Sequence, residues 1–377
     1  MASSQQIVPF TGPSVPLSSS QLTIFPPPPN LPTQPLEWPP EFHAAIRRAF
    51  SFAWAPSTQR NYSTGITKFL NYCRRHNVHA SLIFPANEFL LCAFIAGLLD
   101  SFSPSTIKNI LSGLRAWHQA YGATFPHSDR LLTIARTQIH PNTFRKPLRK
   151  PVTIQMLTSL VTHVDLCDPL DISVLACALT AFWGLFRLGE LLPSSSATPA
   201  ASLPSWANIS QLANESLLIH IPWSKTTKWN GADIYIAPQR KPVDPISALH
   251  FHRKFNQNQD SDKLFTYRPS GSLIPSTLSK QAFLQRCNQI WSLDQIPFTT
   301  GHSFRIGGAA HLLSVGVNPD IVRTLGRWSS DSFLRYWRDQ SLIIPNHVRF
   351  LPLGASQGPP LAAASAFLGG DPSVGQN

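Results

Sequence analysis

Apolar positions recur with a helical period along most of the chain between residues 43 and 350. Tyr62, Ile66, Phe69, Leu70 and Cys73 form one stripe, with Ser57 or Thr58 placed to cap it. A second stripe starts near Pro85 and carries Phe89, Leu90, Phe94 and Leu98. A third opens after Ser103-Pro104, carries Ile107, Ile110, Leu111, Leu114 and Trp117, and stops near Gly122. Helical patterns then cover 153–164, 170–192, 244–255, 275–291, 303–315, 318–326 and 330–338. The period drops to two only over Ser216–Trp223 and Asp233–Ala237. These runs flank a turn containing Asn230-Gly231 and predict a β-hairpin. The expected fold class is mainly α with a small β-hairpin or sheet in the second half.

The two ends lack this patterning. Residues 1–42 contain no Lys or Arg and are dense in Pro and Ser, including Pro26–Pro29, so a disordered tail is expected there. Residues 351–377 are rich in Ala, Gly, Ser and Pro and predict a flexible C-terminal tail. Between them the pattern divides into a helical domain over 43–145, a basic linker over 146–151 kept extended by its prolines, and a mixed domain over 152–350.

Charge sharpens the picture. The 377-residue chain has a formal net charge of +12, and most of it lies in one stretch. Between His43 and Lys150, 14 Lys and Arg face 3 Asp and Glu. Lys108 and Arg115 lie off the apolar stripe of the third helix. Arg145 at its edge and Lys146, Arg149 and Lys150 within it crowd the linker. Such a segment suits a phosphate backbone, and double-stranded DNA is the expected partner.

Several other classes lose support. The 5 Cys form no CxxC pair and read as reduced thiols of an intracellular protein. The chain opens without a secretory signal pattern. The most apolar run, Ile172–Phe186, is too short to span a bilayer, so no membrane partner is expected. No HExxH, grouped carboxylates or GxxxxGK[ST] occur, so no metal site, cofactor or nucleotide hydrolysis is expected.

Candidate chemistry concentrates in three segments of the second domain. Arg187 follows a long apolar helix, and Glu190, three positions on, is placed to orient it. His302 and Arg305 share the same spacing at the start of a small-residue helix. The run Gly326-Arg327-Trp328 leads to Arg335 and Tyr336. Arg187, the HxxR pair, a Gly-x-Trp box and a following Tyr resemble, in this order, the signature of tyrosine recombinases, the phage integrase family. The run from Gly326 to Asp339 is similar to the recombinases of eukaryotic Crypton and DIRS mobile elements.

That resemblance implies a helical core-binding domain joined to an α+β catalytic domain, with DNA cut and rejoined without metal or ATP. Tyr336 would form a 3′-phosphotyrosyl link. Arg187 and Arg305 would clamp the nonbridging oxygens with their planar, permanently charged forks. His302 would donate to the phosphate or take the tyrosine proton. Trp328 would stand where many relatives have a second histidine. Its spacing of eight positions from Tyr336 is one shorter than in many bacterial relatives. The general acid would be a hairpin lysine, with Lys225 favoured over Lys228. Arg335 would contact DNA or tune Tyr336. A homotetramer on DNA and nuclear residence follow from the same resemblance. Two other readings stay open: a DNA-binding protein derived from a mobile element without catalysis, and a type IB topoisomerase.

Overall fold

The computed structural model describes residues 25–29, 39–126, 149–272, 274–330 and 333. The chain divides into two compact units, residues 1–147 and 148–377.

The described part of the first unit is helical: α1 (Pro40–Ala53), α2 (Pro56–Arg75), α3 (Ala80–Ile83), α4 (Glu88–Ala96) and α5 (Pro104–Ala120). Helices α2 and α5 pack at close range because both carry glycine at the crossing. A Cβ on Gly113 would stand 2.9 Å from the Tyr62 Cα, and one on Gly65 would stand 3.1 Å from the Ile110 Cα. Ile66, Phe69, Cys73, Ile107, Leu114 and Trp117 fill the core as their spacing predicts. Buried His118 is fixed as a neutral ring. Its Nε2 accepts from the Ala86 N–H at 2.9 Å while its Nδ1 meets the Leu114 carbonyl at 2.7 Å.

Three expectations for this unit are corrected. Helix α2 begins at Pro56 with no side-chain cap, because Pro at its first position already sets φ, so Ser57 and Thr58 fall inside it. Phe89 is 76% exposed, on the solvent face of α4, whose first turn is capped by Asn87. The N-terminal tail is not loose throughout: Phe25 is buried against Trp54. Its carbonyl accepts from the Tyr121 hydroxyl at 3.1 Å, and the Pro26 carbonyl accepts from Trp117 Nε1 at 2.8 Å. Pattern reading passes over a single anchoring aromatic in a proline-rich run.

The described second unit is α+β. Its elements are α6 (Ile154–His163), α7 (Pro169–Trp183), α8 (Leu188–Leu191), β1 (Ile209–Gln211), β2 (Leu217–Ile221), β3 (Ala232–Ile236), α9 (Pro245–Phe255), β4 (Thr266–Tyr267), β5 (Ser276–Thr277), α10 (Lys280–Leu293), α11 (His302–Ser314) and α12 (Pro319–Leu325). The predicted hairpin is β2–β3, paired antiparallel with Ile219 opposite Ile234. Strand β1, three residues long and too short to show a period, extends it to an antiparallel order β1-β2-β3.

Helix α7 forms the centre of the unit, with Asp171 through Trp183 all buried. Asp171, fully buried, is held by Arg286 through two hydrogen bonds of 2.6 and 2.7 Å. Burial alone would raise its carboxyl, but the bonds from Arg286 and the Asp165 N–H outweigh it and lower it. Cys73, Cys92, Cys177 and Cys287 are buried and outside any disulfide, and Cys167 is exposed. Among the described residues no helix is long and apolar enough to cross a membrane.

The helix expected over 170–192 is broken. It ends at Trp183, and Leu185 takes a left-handed φ of 50° before α8 begins at Leu188. The break re-aims the chain, so Arg187 stands at the cap of a new helix instead of continuing the buried face of α7. The helix expected over 330–338 falls, apart from Ser330 and Phe333, outside the described residues.

Candidate active site

Three chain turns meet at the end of α7, and each delivers residues singled out by the sequence. The first is the break at Leu185, which presents Arg187 and Glu190. Glu190 is 2% exposed, so its charge must be matched locally. Its Oε1 accepts from Arg187 Nη1 at 2.8 Å, and its Oε2 accepts from the Arg187 backbone N–H at 3.0 Å. Oε2 also accepts from Arg327 Nη2 at 2.7 Å.

The second is the start of α11. Its glycines let it sink deep into the unit: a Cβ on Gly307 would lie 1.9 Å from the Val152 carbonyl oxygen, and one on Gly308 would lie 2.1 Å from that of Phe182. His302 is the first residue of this helix, and Arg305 lies one turn later. Gly301, just before them, leaves room for Leu188 and for the Lys280 side chain, whose Cε lies 3.3 Å from where a Cβ would stand.

The third is the turn Gly326-Arg327-Trp328 after α12. Arg305 joins the first turn to the third, donating from Nη1 to the Leu185 carbonyl and from Nη2 to the Gly326 carbonyl. Its guanidinium also lies over the Trp328 ring. Arg305 is 1% exposed. Arg305 is thus engaged within the protein: both terminal nitrogens donate to backbone carbonyls that hold the site's turns together.

His302 reports the field of this cluster. Burial, then the charges of Arg305, Arg149, Arg187 and Lys280 in that order, lower its pKa from 6.5 to about 4. It is thus a neutral imidazole at physiological pH, able to accept a proton or donate one hydrogen bond. Four cations (Arg149, Arg187, Lys280 and Arg305) gather near one neutral histidine, and a fifth, Arg327, shares Glu190 with Arg187. Such an excess of positive charge favours an anion, and guanidinium groups suit a phosphate.

The structure thus brings Arg187, Glu190, His302, Arg305, Trp328 and Arg149 to one place. Lys225 and Lys228 stand exposed on the β2–β3 turn, outside the set that acts on His302. That turn is ordered by the Ser224 hydroxyl, which accepts from the Thr227 N–H at 3.0 Å. Lys150 is exposed, as are Lys108 and Arg115 on α5 of the first unit. Tyr336, Arg335, Arg145 and Lys146 lie outside the described residues. Two participants escape a sequence reading. Arg327 lies within the quoted motif, but nothing in its spacing distinguishes it from a surface cation. Lys280 belongs to no motif and reaches the site only through the packing of α10 against Gly301.

No family model and no curated protein matches the sequence. Solved structures do match the fold. The chain is similar to a lambda integrase (75–356) dimer bound to a COC′ core site at 14% identity, over 79% of this chain and 94% of that one, with a TM-score of 0.53. It is similar to the XerH site-specific recombinase on palindromic difH substrate at 14% identity, over 80% and 82%, with a TM-score of 0.51. A lambda integrase tetramer bound to a Holliday junction matches at 13% identity, over 78% and 76%, with a TM-score of 0.50. These likenesses establish the chain's architecture as the two-domain tyrosine recombinase fold.

Proposed function

We propose that the protein is a site-specific DNA recombinase that breaks and rejoins duplex DNA through a 3′-phosphotyrosyl intermediate. The observation that carries this reading is the convergence of Arg187, His302 and Arg305 on one cationic site at the end of α7, within a tyrosine recombinase fold. The scissile phosphate would dock against Arg187, the partly exposed fork of the site, with Arg149 and Lys280 beside it. Arg305 would act chiefly by holding Trp328 and the two turns in place. Tyr336 would attack phosphorus, displacing the 5′ oxygen. Neutral His302 would take the tyrosine proton, and a hairpin lysine, Lys225 or Lys228, would protonate the leaving oxygen. The phosphotyrosyl ester keeps the bond energy, so the reverse attack by a 5′ hydroxyl reseals the strand without ATP. Work as a homotetramer on two DNA sites belongs to the same reading, by analogy with the lambda integrase tetramer.

The test is strand exchange. Two differently labelled duplexes, recovered from a random library by the protein's own binding, are incubated with it in excess chelator and without ATP. Recombinant duplexes are the expected product. A second reading, DNA binding without catalysis, draws on Arg305, whose terminal nitrogens already hold two carbonyls. It predicts tight binding of the same duplexes with no exchanged product.

A further inference from the structure

Arg327 makes its one described side-chain hydrogen bond to Glu190, the carboxylate that also holds Arg187. Its side chain is 13% exposed, while that of Arg187 is 26% exposed. Its Nε and Nη1 are buried and find no hydrogen-bond partner. Its backbone takes a left-handed φ of 56°, a conformation unfavourable for any residue with a side chain. Its guanidinium lies over the Phe186 ring, yet the left-handed backbone and the two unmet donors both oppose folding, and the polar group it serves is the shared carboxylate.

Were Glu190 to face Arg187 alone, the two would form a closed pair, and a phosphate would have to compete for the Arg187 charge. Arg327 takes part of the Glu190 charge and leaves Arg187 with a surplus. The same residue belongs to the turn whose Gly326 carbonyl and Trp328 ring receive Arg305. Both motif arginines are therefore referred to one turn, Arg305 directly and Arg187 through Glu190 and Arg327.

We propose that Arg327 is a positioning residue that acts through Glu190 to hold Arg187 in place and free its charge for the scissile phosphate. The inference rests on the recombinase reading given above. It predicts a chain of effect running from Arg327 to Glu190 to Arg187 and no direct contact of Arg327 with DNA.

The experiment is a double-mutant cycle of R327G, E190Q and the double variant. Glycine accepts the left-handed turn, so R327G removes the guanidinium and keeps the backbone; R327K, run through the same cycle, carries the test if R327G does not fold. The probe is a nicked duplex recovered by selection on the protein, and the readouts are single-turnover covalent adduct formation and duplex affinity at fixed salt. R327G is expected to slow adduct formation by about 100-fold with duplex affinity little changed, and to add nothing further in the E190Q background. A duplex with an uncharged methylphosphonate at the cleavage point asks less of Arg187, so the R327G defect shrinks there, whereas a defect of folding would persist unchanged. Wild-type adduct formation that R327G leaves untouched overturns the inference alone, as does a loss that multiplies independently with that of E190Q. A wild-type protein that binds the duplex and forms no adduct overturns the recombinase reading, and this inference with it.

Discussion

The guanidinium of Arg305 lies 4.2 Å from the centroid of the Trp328 ring, and its two terminal nitrogens donate to carbonyls from two different turns, those of Leu185 and Gly326. Three directions of contact from one planar group explain why an arginine, not a lysine, occupies the position. Arg305→Lys is expected to destabilise the second unit by about 3 kcal/mol, since a point charge leaves a carbonyl unmet in a buried site. Trp328→Phe keeps an aromatic face under the cation and is expected to cost about 1 kcal/mol. Denaturant unfolding of the two variants checks the order; equal costs would contradict it.

Lys280 stands at the first position of α10, where the helix dipole disfavours a cation, and its charge acts on His302 together with those of Arg187 and Arg149. An isosteric apolar residue should therefore relieve the free protein. Lys280→Met is expected to raise stability by about 0.5 kcal/mol while weakening DNA binding. Removing one phosphate contact should lower the salt dependence of that binding by about one unit of slope. Thermal melts and salt titrations of the same variant read the two opposite signs.

Acid should unfold the protein earlier than its carboxylates alone would require. Burial lowers the pKa of His252 to about 4, and burial with the neighbouring cations lowers His302 to about 4; burial also lowers His118 and His311. Each of these groups binds its proton more readily when unfolded, where its pKa is about 6.5. Between about pH 6.5 and 4 the unfolded chain therefore takes up protons the folded one refuses, and stability falls as pH falls. For His252 the loss approaches roughly 3 kcal/mol. His252→Gln is expected to flatten the pH dependence of the melting temperature across that window. A bound phosphate would offset the cations around His302 and raise its pKa, so DNA binding should take up protons in mildly acidic buffer.

Much of the scaffold was legible in the sequence because most helices carry a single buried stripe. The stripes of α2 and α5 and the alternation of β2 and β3 mark buried faces directly. The break after Trp183 was not legible, because α7 is apolar on every side and its run continues through Leu185 and Phe186 without a polar marker. Arg187, Glu190, His302 and Arg305 stood out by their i, i+3 spacing. What spacing could not reveal was direction. Arg305 turns inward to two carbonyls, Glu190 serves a second arginine from a distant turn, and Lys280 arrives from a helix with no motif. Those relationships arise from long-range packing, which a local period does not encode.

The proline-rich start has a structural part within the first unit. Phe25 is 2% exposed, and the carbonyls of Phe25 and Pro26 receive Tyr121 and Trp117. Phe25→Ala is expected to destabilise the first unit by about 3 kcal/mol. Hydrogen exchange should show faster exchange along α5 and little change in α7. Unaltered protection in α5 would mean the anchor does not contribute to that core.

The central claim is tested most directly by covalent trapping. The protein and its Tyr336→Phe variant are incubated with a nicked duplex whose cleaved end diffuses away, and protein–DNA adducts are counted after denaturation. The account predicts an adduct with the wild type, mapped by peptide mass to Tyr336, and none with the variant. An adduct that persists in Tyr336→Phe, or a wild type that grips the duplex and never forms one, would contradict it.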